Sequence, residues 1–333
     1  KEGIQHPSYR KIMLGKNIIA NDPSISKKPM RGRWVFAIKC GKEGEFIKCK
    51  ARCCTCGYAQ ECFGKSYSPT IRKMSVRLMS AMSARLNLHM HSFDFKNAFL
   101  NAKLKDPEHL IPPKEFGMLS SGDPDLGSGK FMLRVVKAIY GMIQCSLEWS
   151  NTLARVIDGF KYKGLKMKRL LTDRCVWVHR DKAGNFVTMG THVDDALMCT
   201  NCNDLRESFM TYIRGHFPTQ DYEPISCFLG VGFSQDVEKG TVVLDQKGAV
   251  DALLQELGIN HKCHRKVPLP PGVKMLPHEG DCTDAFRKEH QSKVAKATCL
   301  QGCDPSICQA VSKLASVASN PSQEHMRLLT VCL

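Results

Sequence analysis

The sequence predicts a mixed α+β fold rather than a doubly wound parallel sheet. Strand-like and helix-like segments follow one another without the regular βαβ order that builds a parallel sheet. Neither G-x-G-x-x-G nor G-x-x-x-x-G-K-[ST] occurs, which argues against the usual dinucleotide-binding and P-loop functions. With 333 residues, 43% of them apolar, the chain is long enough to bury more than one core.

The chain is strongly basic. Lys plus Arg number 48 against 32 Asp plus Glu, which gives a formal net charge of +16. A polyanionic partner is the simplest explanation, and a solvated basic surface is the alternative. No apolar run approaches the roughly 18 residues that a membrane span requires, and "KEGIQHPSYRK" lacks both an initiator Met and an apolar signal region. We therefore expect an intracellular piece of a longer product with no membrane partner.

The first half of the chain contains a predicted hairpin, a helix and a strand. "RWVFAIK" and "EFIKCKAR" flank the glycines of "CGKEG" and predict a basic β-hairpin. "SVRLMSAMSARLN" has apolar residues at helical spacing, and "LHMHSFDF" changes to strand-like alternation that ends at Asp94. The following stretch, residues 105–130, is rich in Pro, Gly and Ser and predicts an irregular excursion.

The second half repeats these patterns. Helices are predicted at 146–160, 203–217 and 249–259, and hairpins at 175–193, continuing to 200, and at 227–246. "KVPLPPGV" has the composition of a linker, and a helical tail that includes 307–320 and 322–333 follows it.

Three carboxylates stand at predicted strand ends. Asp194 and Asp195 separate two apolar strands, so they converge only if the chain turns there, and Asp94 ends a strand between two aromatic residues. Ordinary turn formation is the alternative explanation for the Asp pair. A shared edge of three carboxylates needs cations, and Mg²⁺ prefers such oxygens together with substrate phosphates. Two ions about 4 Å apart would suit phosphoryl transfer.

The 17 cysteines show no regular spacing, so reduced thiols are expected. A zinc site is the alternative use for two cysteine clusters. Their members are Cys199 and Cys202 in one C-x-x-C, and His261, Cys263 and His264 in "HKCH".

Eight collinear segments carry a family resemblance. They are "RWVFAIK", "KARCCTCGYAQ", "YSPTIRKMSVRLMSAMSA", "FDFKNAFLNAKL", "VVKAIYGMIQCSLEW", "THVDDALM", "CFLGVGF" and "DPSICQAVSKLASVASNPSQEH". In this order they resemble the reverse transcriptase of copia-type LTR retrotransposons over nearly the whole chain. The resemblance implies an RNA-directed DNA polymerase, part of a Pol polyprotein, located in the cytoplasm, an element particle or the nucleus.

The resemblance also implies a catalytic metal site. Asp94, Asp194 and Asp195 match the family's metal-binding aspartates, with the backbone carbonyl of Phe95 as a further ligand. The implied cofactor is two Mg²⁺ ions, with Mn²⁺ as an alternative. The implied partners are an RNA template, a DNA or tRNA primer and deoxynucleoside triphosphates.

Five further residues match substrate-binding positions of the family. Lys50 and Arg52 correspond to basic residues near the triphosphate, with a solvated hairpin face as the alternative. Phe99 corresponds to the aromatic residue that blocks a ribose 2′-hydroxyl. Gln144 corresponds to a glutamine that contacts the incoming nucleotide, and His192 stands where the family usually has a tyrosine beside the primer end.

The family fold is a right hand with an antiparallel palm sheet, and it implies an order of regions. Residues 1–33 are poorly patterned, and 34–235 form fingers (about 34–80 and 103–147) and palm (about 81–102 and 148–235). A thumb-like region covers 236–290, and 291–333 form a helical connection towards an RNase H that this chain does not include.

Four departures from the family pattern leave a second interpretation open. They are His192, the loss of a basic side chain at Cys56, a shortened segment between Gln60 and Tyr67, and "QCSLEW", which lacks the family's Pro and Arg. The alternative is a decayed or domesticated remnant that binds nucleic acid without polymerising.

Overall fold

The structure is a computed structural model that describes residues 18–20, 28–40, 45–60, 64, 66–114, 131–220, 223–259, 267–270 and 272–332. The chain forms two compact units. The first contains Lys1–Met79 and Leu88–Glu223, and the second contains Ser80–Asn87 and Pro224–Leu333. Among the described residues, no helix combines the length and the apolarity needed to cross a membrane.

Strands and helices follow one another irregularly, as the α+β prediction required. The strands are β1 (Ile18–Ala20), β2 (Met30–Cys40), β3 (Phe46–Thr55), β4 (His89–Asp94), β5 (Lys103–Ile111), β6 (Phe131–Lys137), β7 (Lys161–Tyr162), β8 (Leu165–Lys166), β9 (Lys168–Arg169), β10 (Val176–Arg180), β11 (Phe186–His192), β12 (Asp195–Thr200), β13 (Glu223–Pro224), β14 (Cys227–Phe228), β15 (Val231–Asp236) and β16 (Thr241–Asp245). The helices are α1 (Lys73–Leu86), α2 (Cys145–Gly159), α3 (Asn203–His216), α4 (Lys247–Glu256), α5 (Asp284–Leu300), α6 (Cys308–Ser316) and α7 (Gln323–Cys332).

A five-stranded sheet in the order β1-β6-β5-β2-β3 carries the predicted basic hairpin. Strands β2 and β3 pair antiparallel from Gly32 and Thr55 to Cys40 and Phe46, which confirms that hairpin; its turn, residues 41–44, lies outside the described residues. Only the first two residues of β2, Met30 and Arg31, pair with β5. Most of the hairpin is therefore a two-stranded ribbon.

Strand β5 corrects one prediction. Residues 105–111 were predicted to be irregular, but they belong to a strand that pairs antiparallel with β6. The register shifts between Lys103 and Glu108, so the interrupting Asp106-Pro107 lies in a bulge. A bulge accommodates a proline that cannot donate to the ladder. Residues 115–130 of the predicted excursion lie outside the described residues.

A six-stranded sheet in the order β13-β4-β12-β11-β10-β9 forms the centre of the first unit. Its pairings β4–β12, β12–β11, β11–β10 and β10–β9 are all antiparallel. Alternate residues of β11 and β12 (Val187, Met189, Ala196 and Met198) share one core with buried residues of α2 and α3. This antiparallel sheet and the two helices confirm the elements predicted at 146–160, 175–200 and 203–217.

Among its described residues, the second unit contains a small sheet, the C-terminal half of α1 and four complete helices. The sheet has the order β14-β15-β16, and buried residues of α4, α5, α6 and α7 form a separate core. The predicted hairpin at 227–246, the helix at 249–259 and the helical tail are confirmed. Helix α5 runs through residues 290 and 291, where the boundary between the thumb-like and connection regions was predicted.

Candidate active site

Asp94 and Asp195 face each other across two neighbouring strands. Asp94 is the last residue of β4 and Asp195 the first of β12, and they are register partners. The Phe95 amide donates to the Asp194 carbonyl at 2.8 Å, so the bond flanks the pair rather than joining it. In such a non-hydrogen-bonded pair the Cα atoms are only about 4.5 Å apart and the side chains share one face. The two carboxylates therefore meet at one strand edge.

Asp194 lies in the two-residue turn between β11 and β12. The first residue of that turn, Val193, has a φ of 57°, a conformation normally left to glycine and strained for a β-branched side chain. The indole Nε1 of Trp149 donates to the Val193 carbonyl at 2.6 Å. Both carbonyls of the turn are thus bonded, one by Trp149 and the other by Phe95, and these bonds fix the position of Asp194.

Buried aromatic rings support this edge from below. Phe95 and Trp149 are each 1% exposed, and their ring centroids lie 5.4 Å apart in an edge-to-face contact. Phe217 contacts both rings, at 5.9 Å from Phe95 and 5.0 Å from Trp149. The turn and the end of β4 consequently rest on a single packed cluster.

The carboxylates repel one another. The pKa of Asp94 is raised to about 6, mainly by burial and next by the charges of Asp194 and Asp195. Lys50 and Lys96 oppose this rise. Burial and Asp194 also raise the pKa of Asp195, while His192, its register partner, lowers it. The sequence-predicted trio and His192 therefore share one electrostatic neighbourhood.

Clustered carboxylate oxygens have the chemistry that hard divalent cations prefer. Within the described part of the chain, however, no three acidic, histidine or cysteine side chains converge into a ready-made metal cage. Repulsion between the like charges favours separation of their oxygens. The residues present therefore fit divalent ions by their donor type and their common strand edge.

Lys50 and Arg52 lie on the β3 strand of the hairpin. Burial first, then Arg52, Lys39 and Lys48, lowers the pKa of Lys50, and Asp94 opposes this effect. Register places Lys39 opposite Lys48, and alternation puts both on the face of Lys50 and Arg52. A basic face of the hairpin thus lies within electrostatic range of the carboxylate edge.

Phe99 and Arg52 both contact Tyr140, a residue that sequence reasoning missed. Phe99 belongs to a 3₁₀ helix, Ala98–Asn101, directly after β4, and its ring centroid lies 4.9 Å from that of Tyr140. The Arg52 guanidinium carbon lies 5.9 Å from the centroid of the Tyr140 ring. Tyr140 therefore connects the proposed triphosphate residue with the proposed sugar-excluding residue.

Gln144 precedes α2 at its N-cap position and bonds to two residues from distant parts of the chain. Gln60 Nε2 donates to Gln144 Oε1 at 2.7 Å, and Gln144 Nε2 donates to Glu108 Oε1 at 3.4 Å. Gly141 makes the close docking of this loop on β3 feasible: its φ is +94°, and a Cβ there would lie 2.2 Å from the Thr55 carbonyl oxygen. The amide of Gln144 is thus oriented by its neighbours.

Four supporting residues were missed in the sequence: Gln60, Glu108, Tyr140 and Trp149. Only Trp149 gave a usable signal, because a tryptophan on a buried helical stripe needs an acceptor for its indole N–H.

The zinc alternative gains no support. Cys199 is fully buried in β12, no cluster of three ligand side chains occurs among the described residues, and 261–264 lie outside them.

Comparison with known proteins identifies the family of the chain. The family described as "Reverse transcriptase (RNA-dependent DNA polymerase)" matches residues 18–271 of the chain. The chain belongs to this reverse transcriptase family, whose members generally use divalent metal ions.

Two individual relatives show which kind of reverse transcriptase the chain resembles. The retrovirus-related Pol polyprotein from transposon TNT 1-94 of Nicotiana tabacum is 23% identical, over 98% of this chain and 25% of its own length. The corresponding polyprotein from transposon RE1 of Arabidopsis thaliana is 24% identical, over 89% of this chain and 19% of its own length. The chain thus spans a quarter or less of these relatives. The predicted copia-type reverse transcriptase segment is confirmed.

Among solved structures, telomerase from Candida albicans in complex with a TWJ fragment of telomeric RNA aligns over 91% of this chain and 57% of its own chain, at 9% identity and with a TM-score of 0.35.

Proposed function

We propose that the chain is an RNA-directed DNA polymerase that acts by two-metal nucleotidyl transfer. One observation carries the proposal: Asp94 and Asp195 are cross-strand partners, and Asp194 lies in the adjoining turn whose two carbonyls are both hydrogen-bonded. An ordinary pair of turn-forming aspartates would not need a third carboxylate from a strand a hundred residues earlier.

Asp94, Asp194 and Asp195 would hold two Mg²⁺ ions, or Mn²⁺, with the Phe95 carbonyl as an additional oxygen ligand. When bound, such ions lower the pKa of an attacking hydroxyl and offset the charge that develops on the transferred phosphoryl group. The role of the chain is to fix the carboxylates, and the hydrogen bonds from Trp149 and Phe95 serve that role.

Lys50 and Arg52 bind the triphosphate of the incoming deoxynucleotide. A guanidinium and an ammonium group suit phosphate oxygens, the first as a bidentate donor and the second as a point charge. Lys50 opposes the rise in the pKa of Asp94, which indicates that its ammonium group lies within electrostatic range of the carboxylate edge. This proximity supports the assignment.

Phe99 excludes ribonucleotides, Gln144 contacts the nucleotide, and His192 packs beside the primer end. The Tyr140 ring against Phe99 limits the positions of the Phe99 ring, as a steric gate requires. Bonds from Gln60 and to Glu108 orient the Gln144 amide. His192 is the register partner of Asp195 and so lies next to the metal-binding edge.

In this proposal the chain forms a right hand. Fingers cover about 34–80 and 103–147, palm about 81–102 and 148–235, and a thumb-like region 236–290, with a helical connection at 291–333. Its partners are an RNA template, a DNA or tRNA primer and deoxynucleoside triphosphates. The antiparallel sheet that carries the three aspartates supports the palm assignment.

The deciding experiment is primer extension on an RNA template with Mg²⁺ and deoxynucleotides. We expect extension by the wild-type chain and by Asp251→Asn, an exposed carboxylate in α4, and none by Asp194→Asn. A folded wild-type chain that binds RNA–DNA hybrid but never extends it would instead establish a non-polymerising remnant. Extension that survives Asp194→Asn would refute the site.

A further inference from the structure

Four exposed lysines surround a short hairpin outside the proposed catalytic site. Strands β7 and β8 pair antiparallel, with Lys161 opposite Lys166. The two residues that connect the strands, Lys163 and Gly164, have φ values of 48° and 80°. Positive φ at both central residues is typical of a tight hairpin turn. Lys168 follows in β9. We call Lys161, Lys163, Lys166 and Lys168 the lysine cluster.

Three lysines of the cluster lie close together and point away from the core. Lys161 and Lys166 are directly opposite, so their Cβ atoms are about 5 Å apart. Met167, between Lys166 and Lys168, is only 5% exposed, and alternation therefore directs both lysines away from the core. Like charges placed directly opposite one another destabilise a strand pair. The arrangement is unfavourable in the isolated protein and favourable beside a polyanion.

Carboxylates do not neutralise these charges. Among the described residues, no salt bridge involves any lysine of the cluster. Asp181 lies in electrostatic range of Lys163: its pKa is lowered chiefly by its hydrogen bonds with Asn185 and least by Lys163. Asp204 lies in electrostatic range of the neighbouring Tyr162. An aromatic ring lies among the cations, since the Lys163 ammonium is 5.2 Å from the Tyr162 ring centroid.

The lysine cluster is well separated from the aspartates. Tyr162 contacts His179 edge to face, at 5.9 Å between ring centroids, and His179 pairs with Val187. Val187 precedes His192, the partner of Asp195, by five residues along β11. At about 3.3 Å per strand residue this distance is roughly 17 Å. The part of the sheet that contacts the cluster is therefore about five strand residues away from the catalytic edge.

We propose that the lysine cluster binds the phosphate backbone of the RNA template outside the catalytic site. The proposal rests on the proposed polymerase function, which supplies a long single-stranded polyanion. Lysine ammonium groups on flexible stems bind phosphates without reading sequence. Four exposed lysines spread over two paired strands, their turn and the start of β9 match an extended strand rather than a single phosphate.

The test compares two RNA–DNA hybrids with the same primer, one with a short and one with a long unpaired template extension. Affinity is measured by fluorescence anisotropy at several salt concentrations. The test variant combines Lys161→Gln, Lys166→Gln and Lys168→Gln, and the matched control combines Lys274→Gln, Lys288→Gln and Lys313→Gln, three exposed lysines of the second unit. A third variant replaces the same three cluster lysines by arginine.

We expect the test variant to bind the long-extension hybrid roughly tenfold more weakly and with a salt slope reduced by about 2, because single strands release about 0.7 counterion per contact. The short-extension hybrid, the control and the arginine variant should behave like wild type. Equal losses for both hybrids, equal losses in the control, or loss only of binding to anionic vesicles would overturn the proposal. If neither wild type nor any variant extends primers but the dependence on the length of the unpaired strand persists, the polymerase proposal fails, and the lysine cluster is a binding site for single-stranded RNA rather than for a template.

Discussion

Side chains at the carboxylate edge are fixed by buried contacts, whereas those of the β2–β3 hairpin are largely in solvent. Phe95 and Trp149 beneath the aspartates are each 1% exposed, while Phe36 and Ile38 of the hairpin are 69% and 68% exposed. Metal ligands need accurate positions, because ligand geometry determines what an ion can do. Cationic side chains that bind an incoming triphosphate must instead be able to extend and move in solvent. The contrast predicts that substitutions at the edge and in the hairpin fail in different ways.

The largest effect is expected from Asp94→Asn. Ligands that act as a unit fail together, so extension should fall at least about a thousandfold. Stability should rise at the same time, since burial and the other two aspartates disfavour the charged form of Asp94. Ionisation of the wild-type carboxyl decreases stability as the pH rises from its ordinary pKa of 3.8 through about 6.

The stability gain in Asp94→Asn should therefore be larger at pH 8 than near pH 4. Urea unfolding of both proteins at the two pH values measures it. A variant that is less stable than wild type at pH 8 would contradict the description of a strained carboxylate edge.

Arg52→Ala tests the hairpin side of the contrast. Loss of a phosphate-binding guanidinium should lower kcat/KM for deoxynucleotides by roughly tenfold to a hundredfold, mainly through KM, with little change in Tm. Arg85→Ala, at the exposed C-terminal end of α1, is the control. A fall in kcat at unchanged KM would place Arg52 among the positioning residues instead.

Trp149→Phe should have a smaller effect at the carboxylate edge. It keeps a ring in the aromatic cluster but removes the hydrogen bond to the Val193 carbonyl, which costs about 1–2 kcal/mol in a buried site. We expect a drop of about tenfold in kcat with KM unchanged. Trp177→Phe is a matched control, because its indole N–H donates to Asp158 and not to the turn. Equal losses of kcat in both variants would show a general packing effect.

The smallest effect concerns acid stability of the central sheet. Burial first, then Arg206 and His89, lowers the pKa of His91 from 6.5 to about 4. The folded chain keeps this imidazole neutral while the unfolded chain protonates it, so stability is complete above pH 6.5 and decreases as the pH falls towards 4. His91→Gln should show a shallower loss between those values in urea unfolding. Parallel pH profiles would exclude His91 as the cause.

Local patterns in the sequence predicted helices α1 to α4, the helical tail, the three longer hairpins and the turn at Asp194, because each depends on residues close together in the chain. The short β7–β8 hairpin was not predicted. The bonds that orient Gln144 could not be predicted, since its partners Gln60 and Glu108 are 84 and 36 residues away. The positive φ of Val193 was equally hidden, because a valine at that position gives no signal for it. Strand β5 was missed because its Asp-Pro resembles a loop when the bulge is unknown.

Helix α2 carries residues from two parts of the candidate site. Gln144 stands at its N-terminal end, and Trp149, about 7.5 Å further along at 1.5 Å per residue, bonds to the aspartate turn. The residue proposed to contact the nucleotide and the indole that bonds to the aspartate turn are therefore carried by one helix and lie less than two turns apart. Their spacing along the chain is set by the helix itself, so a change in helix length between positions 144 and 149 would alter both parts of the candidate site at once.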